Sequence, residues 1–152
     1  MLLKSDDPFD VYLNGIDLSN ANLDGARLDD TSLANADLSS ATLRGAAIRS
    51  ASLLKANLEG ADLCRAELNN TDVTGCRVGG AVFGDTRLLR LDVSHVEGLK
   101  GVEHRFDSMV DVETLLRTAK GFERAGDRSA ARLFLGQAGV PDHFLSLAFA
   151  EC

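Results

Sequence analysis

Carboxylates are the residues of this chain most suggestive of chemistry. Asp17, Asp37, Asp62, Glu67, Asp72 and Asp92 all lie a multiple of five residues apart. Paired carboxylates can do acid–base work when they converge in a concave pocket. A periodic row points instead to one repeated setting, with each side chain solvated or bonded to the local backbone at a corner. Ser94-His95 places a nucleophile beside a base, with no evident third residue to orient the imidazole. Cys64, Cys76, His95, His104 and His143 have no metal-ligand spacing. Gly75, Gly79 and Gly80 are scattered corner glycines rather than a phosphate loop. The expectation is no catalytic residue, no cofactor, no metal and no enzyme.

The element behind these positions is a repeat of five. Leu13, Leu18, Leu23, Leu28, Leu33, Leu38, Leu43, Ile48, Leu53, Leu58, Leu63, Leu68, Val73, Val78, Phe83, Leu88 and Val93 stand at every fifth position. Two residues before most of them sits alanine, as at Ala21, Ala41 and Ala61. Such a period forms no stripe on a straight helix and alternates faces on a straight strand. The chain must therefore turn a corner once per repeat. The small residue and the leucine share one inward face, and the next two residues, rich in Ser, Asn, Asp, Gly and Arg, make the corner. The result is a solenoid with a narrow apolar lumen and a polar outside.

Residues 11–95 resemble the pentapeptide repeat family, A-(D/N)-L-x-x. The resemblance implies a mainly β fold, a right-handed quadrilateral β-helix with 20 residues per coil and about four coils. Residues 20 apart then stack, which predicts Asp24 beside Arg44 and Asp29 beside Arg49, exposed pairs contributing at most ~1 kcal/mol each. The lumen core is expected from Leu23 through Leu88 along the fivefold series.

Composition bounds the rest. Hydrophobic content of 45% suits one core, and 5% aromatics suits a lumen filled by Ala and Leu. The net charge of −7 is spread out, with eight basic against eleven acidic residues over 11–95. That argues against nucleic-acid binding, which favours a basic stripe. No segment is apolar and long enough to span a membrane, and Met1 to Tyr12 does not read as a signal peptide. Three cysteines at unrelated spacings suggest no disulfide framework, so a cytoplasmic setting is expected. Cys76 replaces an inward alanine, and Cys64 on a corner should be exposed.

Both ends need covers. Residues 1–12 read as an N-terminal cap in which Phe9, Val11 and Tyr12 plug the first coil. Residues 96–110 read as a connector. The period then becomes helical, predicting helices over about 112–125, 128–138 and 141–150, which cap the last coil. Asp111 and Asp127 are the expected N-caps, Gly126 the residue past the first helix, and Pro141 the first position of the third. Val112, Leu115, Leu116, Ala119 and Phe122 should face inward on the first helix, and Phe144, Leu145, Ala148 and Phe149 on the third.

Asp111-Val112-Glu113-Thr114-Leu115, Phe134-Leu135 and Gly139-Val140-Pro141-Asp142 resemble the helical segment after the repeats in some bacterial multidomain pentapeptide proteins. Gly136, Gln137 and Ala138 depart from that segment's usual R-G-C. The resemblance implies a recognition module, standing alone or having lost its effector.

The expected function is a non-enzymatic protein-interaction scaffold, with a protein partner the sequence does not identify and a homodimer through the C-terminal helices as one arrangement. Leu54, Leu89, Leu116, Phe122, Phe144 and Phe149 are the candidate interface. The alternative is a DNA-mimic inhibitor or protector of DNA gyrase, implied by the quinolone-resistance type of pentapeptide protein. It requires a continuous acidic face, and the outward columns Asp17, Asp37, Asn57, Arg77 and Arg27, Ala47, Glu67, Arg87 are interrupted.

Overall fold

A computed structural model gives the structure of residues 11–121 and 128–150. Phe9, Phe122, Gly126 and Asp127, to which the sequence assigns roles, lie outside the described residues.

The corners explain the period. Every fifth residue from Gly15 to Arg90 has a φ between 50° and 70°. The next amide closes back on the lumen residue, as in Ile16 N–H to Leu13 O (3.3 Å) and Ala21 N–H to Leu18 O (3.1 Å). This is a β-turn with a left-handed third residue, which Gly, Asn and Asp adopt most readily. The outward Asp or Asn secures the same corner. Asp17 Oδ1 accepts from the Ser19 amide at 2.9 Å, Asp37 from Ser39 at 2.9 Å, and Asp72 from Thr74 at 3.0 Å.

Four corners make one turn of 20 residues, and the turns stack in parallel. Strands β1 (Val11–Tyr12) and β2 (Thr31–Ser32) pair Val11 with Thr31. Strands β3 (Ala47–Arg49), β4 (Glu67–Asn69) and β6 (Arg87–Leu89) pair Ala47 with Glu67 and Glu67 with Arg87. The fold is the right-handed quadrilateral β-helix that the repeat implies. From Leu28 onward every residue of the fivefold series is buried, alongside Ala36, Ala41, Ala46, Ala51, Ala56, Ala61, Ala66 and Ala81. Cys76 is buried as expected, its thiol donating to Leu53 O at 2.8 Å.

Leu23 is a correction to the expected core. It is half-buried, like Leu13, Ile16 and Leu18, because no described residue covers the first coil. Val11 and Tyr12 do not plug that coil; each is 47% exposed.

The coil count is a second correction. The solenoid has about five turns, because residues 96–110 are not a connector. They wind once more over the fourth turn. Arg77 bridges Glu97, β5 (Val82–Phe83) pairs with β7 (Glu103–His104), and β6 pairs with β8 (Met109–Val110). The register slips from 20 residues at Arg77–Glu97 to 21 at Val82–Glu103 and 22 at Arg87–Met109. A 3₁₀ turn at Leu99–Gly101 widens the first of these corners. Extra corner residues erase the period of five while keeping the β-pairing.

Three helices close the far end: α1 (Val112–Gly121), α2 (Arg128–Gln137) and α3 (Asp142–Ala148). Asp111 caps α1, accepting from the Thr114 amide at 2.8 Å. Pro141 stands just before α3 in an extended conformation, one place earlier than expected. The inward face of α1 also differs. Thr114, Leu115 and Thr118 are buried, Val112 and Leu116 are exposed, and Ala119 is half-buried. On α3 Leu145 is buried and Phe144 is 48% exposed.

Candidate interaction surfaces

The chemistry-bearing residues do not assemble a reaction centre. The outward carboxylates are occupied at corners and in ion pairs. Asp17 and Asp37 are held below the usual carboxylate range by bonds from Ser19 and Ser39. Burial pushes the Asp62 carboxyl up, but bonds from Cys64 and Arg44 outweigh it and leave it low. Glu67 pairs with Arg87 at 3.3 Å.

Asp29 and Arg49 form the expected pair, at 2.7 Å. Asp24 and Arg44 are neighbours across the coils as expected, but form no ion pair. The Arg44 amide donates to Asp24, while its guanidinium turns to Asp62 at 2.6 Å. The 20-residue register holds in both cases, and the long Arg44 side chain reaches the next face.

Ser94 Oγ lies 2.8 Å from His95 Nδ1. Asp92 is near, but its carboxylate accepts from the Ser94 amide, not from the imidazole. Ser94 is 5% exposed and lies beneath Gly121 of α1, so no substrate reaches its oxygen. Cys64 is half-buried rather than exposed, and burial raises its thiol above the ordinary value. A thiol held protonated is a poor nucleophile. The lumen void beside the last turns is about 30 Å³, lined by residues such as Leu63, Phe83, Leu88 and Phe134. It has room for about one water and no polar partner for it.

The tail is where the described surface changes character. The last coil would otherwise present bare strand edge. Helix α1 covers it with polar groups. Thr114 Oγ1 donates to Leu88 O and accepts from the Leu91 amide, both at 3.0 Å. Thr118 Oγ1 accepts from the Val93 amide at 3.2 Å, and Asp111 accepts from the Arg90 amide at 3.1 Å. Arg117 donates to Arg90 O at 3.1 Å. Burial pushes the Asp111 carboxyl up, but its bonds from Thr114 and Arg90 hold it below the usual range. Four α1-side residues thus stand in for the strand of a further coil.

With its polar face turned inward, α1 leaves apolar side chains outside. Among the described residues, the exposed large hydrophobics are Val11 and Tyr12 at one end, and Phe106, Met109, Val112, Leu116, Leu133, Phe144 and Leu147 at the other. None lies between Leu13 and Arg105. A groove of about 280 Å³ runs between α1 and α3, lined by Val110, Val112, Leu115, Val140, Pro141 and Phe144.

Of the candidate interface residues, Leu116 and Phe144 sit on this surface, each 48% exposed. Leu54 and Leu89 are half-buried on the rod and belong to no exposed patch. Phe149 is corrected to a core residue, 9% exposed, because the end of α3 folds down onto the tail's interior. The apolar residues Met109, Leu133 and Leu147 were missed by periodicity, which sends apolar residues inward.

A family model described as pentapeptide repeats (8 copies) matches residues 12–46 and 43–80. Residues 12–80 of the solenoid are thus pentapeptide repeats. Solved structures of similar pentapeptide repeat proteins include HetL of the cyanobacterium Nostoc sp. strain PCC 7120, involved in heterocyst differentiation regulation. It is 32% identical over 60% of this chain and 48% of its own, with a TM-score of 0.47. A thylakoid-lumen pentapeptide repeat protein of Arabidopsis thaliana is 21% identical over 79% of this chain and 86% of its own, at 0.41. QnrB1, a plasmid-mediated fluoroquinolone resistance protein, is 16% identical over 85% of this chain and 86% of its own, at 0.38. The chain spans about half the length of HetL. No curated protein matches the sequence. No helix among the described residues is long and apolar enough to cross a membrane.

Proposed function

We propose that this pentapeptide repeat protein is a non-enzymatic interaction scaffold that works through its helical tail. The rod holds the tail rigidly, and the tail self-associates through the α1–α3 surface. The observation that carries this is the segregation of exposed large hydrophobics to the ends of the described chain, with the larger group on the tail. Exposed apolar clusters mark contact surfaces more often than scattered single residues do. Gyrase inhibition by DNA mimicry is not proposed, because Arg77, Arg27 and Arg87 interrupt the outward columns and Glu67 is neutralised by Arg87.

The test is solution mass by light scattering over a wide concentration range, for the natural sequence and for Leu116→Asp with Phe144→Asp. Both sites are exposed, so the fold should survive unchanged. A dimer that becomes a monomer in the double variant is the expected result. A natural-sequence protein that stays monomeric throughout overturns self-association.

A further inference from the structure

His104 sits where the fifth turn meets the helical tail. It is the inward residue of β7; its neighbours Glu103 and Arg105 point outward and pair with each other at 3.2 Å. Its ring stacks on Phe83 of the turn below, with centroids 5.9 Å apart and planes inclined by 27°. On its other side lies Phe134 of α2, at 5.0 Å. Phe83 and Phe134 themselves meet edge to face at 5.5 Å. Three rings from three elements thus form one cluster that ties β5, β7 and α2 together. Both His104 ring nitrogens are shut off from solvent and have no hydrogen-bond partner.

We propose that His104 is a pH-sensitive latch that holds α2 on the solenoid when neutral and releases it when protonated.

A neutral imidazole already leaves one N–H and one acceptor unpaired in this cluster. Protonation would add a charge with nothing to neutralise it. Among the described residues, no carboxylate is directed at the ring. Strand β5 contributes only Val82 and Phe83. The buried face of α2 is Ala130, Ala131, Phe134 and Leu135. Its cations are Arg128 and Arg132, and Arg132 is turned to Asp142 at 2.6 Å and Ser146 at 3.0 Å. Lys100 lies on the exposed side of the 3₁₀ turn. On either side of His104 in the chain, Glu103 and Arg105 face away. Burial alone pushes the imidazole below its ordinary value.

The sign follows from linkage. The unfolded or undocked chain binds a proton at about pH 6.5, and the docked state binds it only at lower pH. Docking is therefore full above about pH 6.5 and weakens as pH falls through the window beneath it. Within that window the docking constant drops by up to about tenfold per pH unit. The Asp17, Asp37 and Asp111 carboxyls are shifted downward, away from the ordinary imidazole value.

The experiment is hydrogen exchange and thermal unfolding of the full chain at about pH 7.5 and 5.5, chosen to bracket the ordinary imidazole value. The natural sequence should lose protection over Arg128–Gln137 and β7 at the lower pH, while the rod from Leu28 to Leu88 stays protected. His104→Phe fills the same layer without unpaired nitrogens. It should abolish the pH step and melt higher at both values. A nuclear magnetic resonance titration of the His104 ring in the natural sequence should give a value below about 6.5. The proposal is overturned if the His104→Phe variant keeps the full pH step, or if the step vanishes instead in a His95→Gln, His143→Gln variant. A ring that titrates at or above the ordinary value overturns it too, whatever the variant does.

Discussion

The rod and helix α1 differ in the residues they bury at their contacts. In the rod, inward is mostly apolar: Leu33, Leu43, Leu53 and Leu63 are fully buried, and the few inward polar residues, such as Thr86, bond the backbone of the turn below, Thr86 Oγ1 donating to Leu63 O at 2.9 Å. On α1, the residues that face the solenoid are Thr114 and Thr118, fully buried, while Val112 and Leu116 face out. The difference lies in what each segment packs against. A lumen side chain meets other lumen side chains, and burial of apolar area is the main gain. Helix α1 meets a strand edge, whose unpaired amides and carbonyls cost free energy unless something bonds to them. A helix can end a β-solenoid only by bringing hydrogen-bonding groups to that edge. Apolar residues on its far side are then left for another surface.

The sharpest way to break this contrast is a charge in the lumen. Leu58 is 2% exposed in a dry interior. Leu58→Lys buries an unpaired ammonium, which costs several kcal/mol, on the order of a small domain's whole stability. Circular dichroism should show loss of the cooperative melt, with rod and tail failing together. A normally melting variant would mean that residue 58 does not point inward.

The matching change at the tail should be smaller and local. Thr114→Val with Thr118→Val keeps the volume and removes both hydroxyls. The Leu91 and Val93 amides and the Leu88 carbonyl are then buried without partners. Each orphaned group costs about 1–3 kcal/mol. Hydrogen exchange should rise over Val112–Gly121 while Leu33 to Leu68 stays protected. Uniform loosening of the rod would erase the distinction between the two regions.

Gly121 sharpens the comparison from the helix side. A Cβ built there falls 2.0 Å from Ser94 Oγ and 2.6 Å from Ser94 Cβ. Gly121→Ala should therefore lift the end of α1 and cost about 1–3 kcal/mol, despite the better helix propensity of alanine. Ser94→Gly in the same chain should restore much of the loss, since it removes the two nearest clashing atoms and leaves only Asp92 Oδ1, at 2.9 Å. A double variant no better than Gly121→Ala alone would locate the strain elsewhere.

These sites also show how far the sequence is legible. The period of five leads directly to the corners, the lumen and the 20-residue register, because one geometry is imposed many times over. Where a residue is set by a single contact, periodicity fails. The apolar pattern on α1 sends Val112 and Leu116 inward, whereas the decisive signal is the polar spacing Asp111, Thr114, Thr118, on one helical face. The fifth turn is hidden by the extra residues at its corners, which shift Glu103 and Met109 out of register. Gly121 looks like an ordinary weak spot in a helix until Ser94 is placed beneath it. His104, an isolated histidine in the sequence, becomes distinctive only when Phe83 and Phe134 close over it. The tail surface is the least legible part of all, since Leu116 is exposed where Thr114 and Thr118 take the inward positions of α1, and Phe144 where Leu145 takes that of α3.

The smallest expected effect lies in the rod's own corners. Arg65 holds a φ of 63°, a conformation that β-carbons disfavour and asparagine tolerates better. Its side chain is 78% exposed and reaches Asp85 only at 3.9 Å, so little is lost by removing it. Arg65→Asn should raise stability by up to about 1 kcal/mol, seen as a modest rise in melting temperature with no change in tail protection. The same exchange at an extended outward position such as Arg77 has no left-handed strain to relieve and should gain nothing. An equal gain at both kinds of position would mean that the corner conformation is not what limits the rod. A gain confined to the corner would show that its regular geometry still carries local strain.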